Sequence, residues 1–179
     1  MSVTPPTTFT TARLHLRLPV LDDAPTLFAR YTQDPEVARY MVWRPHTSVV
    51  EAERFLQRCA AVWADNTGFP FVIERLADGL LLGMIEFRVD DFKAEFGYVL
   101  ARDAWGAGYM SEALTCLVDW VLAQPTIYRA AAFHDVDNPA SGRVMAKAGM
   151  AYEGLLRRYS IHPNVSDAPR DCHVYARVR

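Results

Sequence analysis

At Phe69 the hydrophobic period of this chain changes from that of a helix to that of strands. Upstream, Ala52, Phe55, Leu56, Cys59, Ala60 and Trp63 recur at helical spacing behind Ser48 and Glu51, which stand three apart as in a capping box. Downstream, Phe71 to Glu74, Leu81 to Val89 and Lys93 to Leu100 are strand-like runs separated by turns at Asp78-Gly79 and Asp90-Asp91. A helix leading into a three-stranded antiparallel meander is therefore predicted.

The remaining pattern extends both ends. Arg13 to Arg17 alternates as a half-buried strand, and Asp22 is placed to cap a helix with Pro25 in its first turn and Leu27, Phe28 and Tyr31 on one face. Beyond the meander, Met110, Ala113, Leu114, Leu117, Val118, Val121 and Leu122 form one apolar stripe on a helix starting near Gly108. Tyr128 to Phe133 reads as a buried strand flanked on both faces. Asn138-Pro139 opens, and Gly149 stops, a helix of about three turns. Strands near Tyr152 to Ser160 and Cys172 to Val178 complete the chain. The order predicts an α+β (α/β-like) domain over residues 11–179, with a mixed, mostly antiparallel central sheet flanked by helices, behind a flexible amino-terminal segment 1–10.

Length and charge narrow the function. At 179 residues one core suffices, and a net charge of −2 without any Lys/Arg block larger than Arg157-Arg158 supplies no footprint for nucleic acid. Met1 to Thr11 is polar with Pro5-Pro6, unlike a secretory signal, and no apolar run reaches the ~20 residues of a membrane span. Three scattered cysteines, Cys59, Cys116 and Cys172, suit a reducing cytoplasm, and His134, His162 and His173 lack metal-ligand spacing, so no metal is expected.

The chemistry concentrates between the third meander strand and the long helix, in Arg102-Asp103-Ala104-Trp105-Gly106-Ala107-Gly108-Tyr109-Met110. Two glycines let the backbone turn its amides into a concavity at a helix start, which attracts phosphate. A dinucleotide fingerprint fails because Ser111 stands where a third glycine belongs, and a phosphate loop ending in Gly-Lys is absent. Glu95-Phe96-Gly97-Tyr98-Val99-Leu100, Trp105-Gly106-Ala107-Gly108-Tyr109 with Glu112-Ala113, Asn138-Pro139-Ala140-Ser141, and Lys147-Ala148-Gly149-Met150 with Glu153-Gly154 follow in order. Arg13 to Arg17, Asp34 to Val37, Trp43 and Ser48 precede them. Together these segments resemble the GNAT superfamily of acetyltransferases, in its branch of RimJ/RimL-like ribosomal-protein N-terminal acetyltransferases, over residues 13 to 177.

The resemblance implies a single GNAT-type domain that uses acetyl-CoA as cosubstrate. It implies cofactor contacts from the backbone of Tyr98, Val99 and Leu100, where that strand splays from its neighbour, and from the turn Trp105, Gly106, Ala107, Gly108, Tyr109 and Met110. Asn138, Ser141 and Lys147 complete the expected cofactor set, although Asp103 stands where the family carries Gln or Arg. Catalysis is expected from Glu95 as base, with Glu86 in reserve, and from Ser141 beside the sulfur, because Met145 occupies the position of a thiolate-protonating tyrosine. Trp43 and Tyr31 are expected to border the acceptor pocket. The expected acceptor is a primary amine, preferably the α-amine of a peptide or protein amino terminus, whose pKa near ~8 lies below the ~10.4 of lysine. A small-molecule amine acceptor and a non-catalytic coenzyme A binding domain are the alternatives, and a homodimer is compatible with the resemblance.

Overall fold

A computed structural model describes residues 3–179. Eight strands, β1 (Thr8–Thr10), β2 (Leu14–Arg17), β3 (Phe69–Arg75), β4 (Leu81–Asp90), β5 (Lys93–Leu100), β6 (Arg129–Asp135), β7 (Ala151–Ser160) and β8 (Arg170–Val178), form one sheet. Their order is β1-β2-β3-β4-β5-β6-β8-β7, and every pair is antiparallel except β5 with β6. The helices are α1 (Ala24–Leu27), α2 (Pro35–Ala38), α3 (Val49–Ala64), α4 (Tyr109–Leu122) and α5 (Pro139–Lys147). The one parallel step needs a crossover, and α4 supplies it between β5 and β6.

Alternation along the central strands sorts the core into two layers. Phe71, Ile73, Ile85 and Phe87 pack on the α4 stripe, whereas Val72 and Met84 pack with Leu27, Tyr31, Leu56 and Cys59 from α1, the turn after it, and α3. Covering on both faces explains why β3 and the first half of β4 read as near-continuous apolar runs. Strand β6 departs from that expectation, because its residues alternate between buried and half-buried rather than lying buried on both faces.

Three expectations are corrected. Within the segment expected to be flexible, Thr8–Thr10 form β1 at the sheet edge, where Phe9 stacks edge-on against Phe71 and Trp120. An aromatic anchor outweighs the polar composition around it. The helix expected at Asp22 is broken into a 3-10 turn over Leu21–Asp23, α1, and a π turn over Phe28–Thr32. Asp23 rather than Asp22 closes it, accepting from the Val20 amide while bonding Arg17 Nη1 and Nη2 at 2.8 and 2.7 Å. At α3 the capping box is not formed, because Glu51 accepts from the Thr47 amide at 2.6 Å and Ser48 makes no side-chain cap.

Candidate active site

Strands β5 and β6 pair only from Lys93 with Arg129 to Glu95 with Ala131, and then diverge. The Tyr128 amide donates to the Phe92 carbonyl, so alternation directs the backbone of Ala94, Phe96, Tyr98 and Leu100 toward β6. Past Glu95 that direction opens into a wedge. Trp105 Nε1 closes one end by donating to the Leu100 carbonyl at 3.0 Å, leaving the Tyr98 and Leu100 amides facing the wedge. Val99, expected to share this task, turns its backbone to Met84 on β4 and packs its side chain toward α3.

Where β5 ends, the glycine turn begins. Gly106 and Gly108 have φ of 77° and 81°, a left-handed conformation that glycine alone adopts without strain, and Gly108 is the N-cap of α4 without any side-chain cap. The first amides of α4 therefore point out free, as anion binding requires. The turn is braced from β2: Arg13 donates through Nε to Glu112 at 2.6 Å and through Nη1 to the Ala107 carbonyl at 3.0 Å, and lies over the Tyr109 ring. Met110 is buried in the core, so only its backbone is available to a ligand. Asp103 donates nothing to the turn and is engaged by Arg30 Nη2 at 2.8 Å, while Arg102 pairs with Asp34. These two crossed ion pairs tie the turn to the segment around α1 and α2.

The other wall is α5. Asn138 caps it, its side chain accepting from the Ser141 amide, as expected. The Tyr98 hydroxyl crosses the wedge to lie 2.8 Å from Ser141 Oγ and donates to the Ser141 carbonyl at 3.1 Å. Burial pushes the Tyr98 phenol well above its ordinary value, with the Ser141 bond opposing. Met145 is buried in the core behind this pair, and Lys147 is exposed in the last turn of α5. The Tyr98 side chain was not legible as a site group, because its sequence signal named only its backbone.

His134 on β6 backs α5, with Nδ1 2.7 Å from the Asp135 carbonyl and Nε2 buried without a partner. Burial pushes its pKa below the ordinary 6.5, and His173 adds to the push. The unfolded chain therefore binds this proton first. We predict that stability holds above about pH 6.5 and falls as the pH drops below it toward the depressed folded value. Urea midpoints measured from pH 7.5 to 5 check this, and His134→Gln should flatten the dependence.

On the opposite face of the sheet stand the two candidate carboxylates. Glu95 occupies the last paired position of β5 and is exposed. Glu86 on β4 lies opposite Gly97, whose missing side chain leaves it room: a Cβ there would sit 3.8 Å from the Glu86 Oε1. Burial pushes the Glu86 carboxyl up, partly offset by Arg88, whose Nη2 donates to it at 2.7 Å. Tyr31 is fully buried with its hydroxyl unpaired, and Trp43 is half-buried, its carbonyl accepting from Asn164. Among the described residues no group of three or more His, Cys, Asp or Glu is arranged to hold a metal ion, and no helix is long and apolar enough to cross a membrane.

A family model described as the acetyltransferase (GNAT) domain matches residues 13–151. The chain is 32% identical to the "Uncharacterized N-acetyltransferase YoaA" of Bacillus subtilis (strain 168), over 94% of this chain and 95% of that protein. It is 33% identical to the ribosomal-protein-serine acetyltransferase of Escherichia coli (strain K12), over 55% of each. The fold matches the crystal structure of the microcin C7 self immunity acetyltransferase MccE in complex with acetyl-CoA and AMP, with a TM-score of 0.87, 21% identity and 98% of each chain covered.

Proposed function

We propose a function from one premise: the chain belongs to the acetyltransferase (GNAT) family, in its RimJ/RimL-like branch, and is an acetyl-CoA dependent N-acetyltransferase. Our reading is that it acetylates the α-amine of a peptide or protein amino terminus by direct attack in a ternary complex. The observation that carries the chemistry is the β5–β6 wedge with the Tyr98–Ser141 hydrogen bond across it. The glycine turn Trp105 to Met110 holds the pyrophosphate of acetyl-CoA on free amides, with Asn138 against the pantetheine arm and Lys147 toward phosphate. The thioester carbonyl then lies between β5 and β6, and the Tyr98 and Leu100 amides stabilise its developing oxyanion, a kind of contact typically worth ~3 kcal/mol or more.

Ser141 meets the departing sulfur. A phenol as weakly acidic as Tyr98 is a poor direct donor to a thiolate; its hydroxyl, bonded to the Ser141 carbonyl and 2.8 Å from Ser141 Oγ, instead holds the serine in place beside the sulfur. On the acceptor face we assign the carboxylate role to Glu86 in preference to Glu95. Glu86 lies over Gly97, one residue from Tyr98, and its half-buried charge holds the incoming ammonium. Glu86→Gln should therefore raise KM for the amine more than it lowers kcat, whereas Glu95→Gln should leave both near normal; steady-state kinetics on the two variants decides between them.

The acceptor follows from resemblance to the ribosomal-protein-serine acetyltransferase and from the lower basicity of α-amines. A second reading, a small-molecule amine, draws on the AMP bound to MccE. Thiol release from acetyl-CoA with a panel of short peptides and small amines, with products identified by mass spectrometry, tests both. We expect acetylated peptide amino termini; turnover of small amines alone replaces the protein acceptor, and release with none overturns the transferase reading.

A further inference from the structure

Among the described residues five polar or charged residues are buried: Asp23, Thr32, His134, Asp135 and His162. Asp23 answers Arg17, and His134 packs behind α5. Asp135 and His162 have no part in the coenzyme cradle, and they form a pair.

Asp135 is the last residue of β6, four positions past Ala131, where β5 has left it. Its neighbour His134 packs under α5, so alternation turns Asp135 to the opposite face of the sheet, which also carries Glu86 and Glu95. Four donors converge on its two oxygens. Arg170 Nε at 2.5 Å and His162 Nδ1 at 2.7 Å reach Oδ2, while the Asp137 amide at 2.9 Å and Arg170 Nη2 at 3.0 Å reach Oδ1. Burial would raise this carboxyl, but the hydrogen bonds from Arg170, the Asp137 amide and His162 outweigh it and hold the pKa down to about 2. Asp135 is thus a charged acceptor throughout the pH range of interest.

His162 is equally constrained. It lies in the loop between β7 and β8, and that loop is tied to the end of α2 and the segment after it: Asn164 Nδ2 donates to the Ala38 and Trp43 carbonyls at 2.7 and 2.8 Å, and Arg44 Nη1 donates to the Pro163 carbonyl at 3.0 Å. The Val165 and Ser166 amides both return to the His162 carbonyl. With Nδ1 committed to a carboxylate, the neutral ring carries its proton there and its lone pair on Nε2, which bonds no described residue. The groups that face the pair are Asp135 and Asp137 from β6 and the turn after it, and Arg170 and Cys172 from β8. Beside the ring, the Asp135 and Asp137 carboxylates share the one Arg170 guanidinium.

Resting on the transferase reading above, we propose that His162, oriented by Asp135, takes the proton from the acceptor ammonium. The acceptor loses one proton to Nε2, and its nitrogen lone pair forms the bond to the thioester carbonyl carbon. The C–S bond breaks, and the second amine proton passes by way of the Ser141 hydroxyl to the thiolate. The products are the N-acetyl compound, coenzyme A as thiol, and an imidazolium that returns its proton to solvent. Asp135 is a positioning residue in this scheme, and Glu86 holds the amine.

The test is the pH profile of kcat/KM for His162→Ala and His162→Gln beside the wild type, with acetyl-CoA affinity and melting temperature measured on each. We expect a loss of ~100-fold or more, disappearance of the acidic limb, unchanged acetyl-CoA affinity, and partial recovery of His162→Ala by added imidazole. Retention of the acidic limb in either folded variant, or a loss that tracks melting temperature alone, overturns the dyad while leaving the transferase reading intact. A wild-type protein that binds acetyl-CoA and releases no thiol with any amine overturns that reading at its own step and the dyad with it.

Discussion

Replacing Gly83 by alanine is expected to lower the thermal midpoint by roughly 6–12 °C and to remove most of the activity. Gly83 faces Leu100 across the β4–β5 pair, and a Cβ built on it would lie 2.1 Å from the Val99 carbonyl oxygen and 2.8 Å from the Leu100 Cα. Both neighbours are backbone, so no side chain can swing aside, and the strands themselves must separate. Overpacking a dense interior costs ~1–3 kcal/mol, and contact with backbone places this site at the upper end. For a domain of this size each kcal/mol moves the midpoint by about 2–4 °C. The functional loss follows from the same displacement, because Tyr98 and Leu100 present the amides that line the wedge. Calorimetry with thiol-release kinetics checks both; a midpoint within 2 °C of wild type and a normal kcat would refute the close approach of β4 and β5.

The second large effect is expected at Ser141. Ser141→Ala should lower kcat by ~100-fold, with acetyl-CoA affinity and stability little changed, because in the proposed scheme the hydroxyl acts only as the thiolate leaves. Stability is spared for a structural reason: Tyr98 retains the Ser141 backbone carbonyl as partner when Oγ is gone. Tyr98→Phe should give a smaller fall, ~10-fold, since water in the wedge replaces part of the lost hydrogen bond. Single-turnover thiol release on the two variants tests the ordering. If Ser141→Ala turns over within twofold of wild type, the serine only shapes the first turn of α5.

Much of the site is local and was readable in order along the chain. The glycine turn, the Asn138 cap and the Ser141 spacing depend on neighbours within a few residues, and backbone conformation at that range follows from residue type. Arg13 and Glu112 belong to the same resemblance, yet their pairing 99 residues apart needed the strand β2 to be laid beside the turn. The replacement of Gln or Arg by Asp103 likewise has no local explanation; it is matched by Arg30, 73 positions earlier.

The order of elements, the meander and the crossover α4 were determined by the sequence itself, because hydrophobic period and turn chemistry act over windows of a dozen residues. Tertiary structure alone decided the placement of β8 between β6 and β7, the extent of the β5–β6 divergence, and the difference in burial between Glu86 and Glu95. Each depends on strand register, and a shift of one residue would exchange the two faces of the sheet. The register of β4 puts Glu86 half-buried opposite a glycine and that of β5 leaves Glu95 exposed, so the glutamate favoured in the sequence and the one held in reserve come to differ in burial.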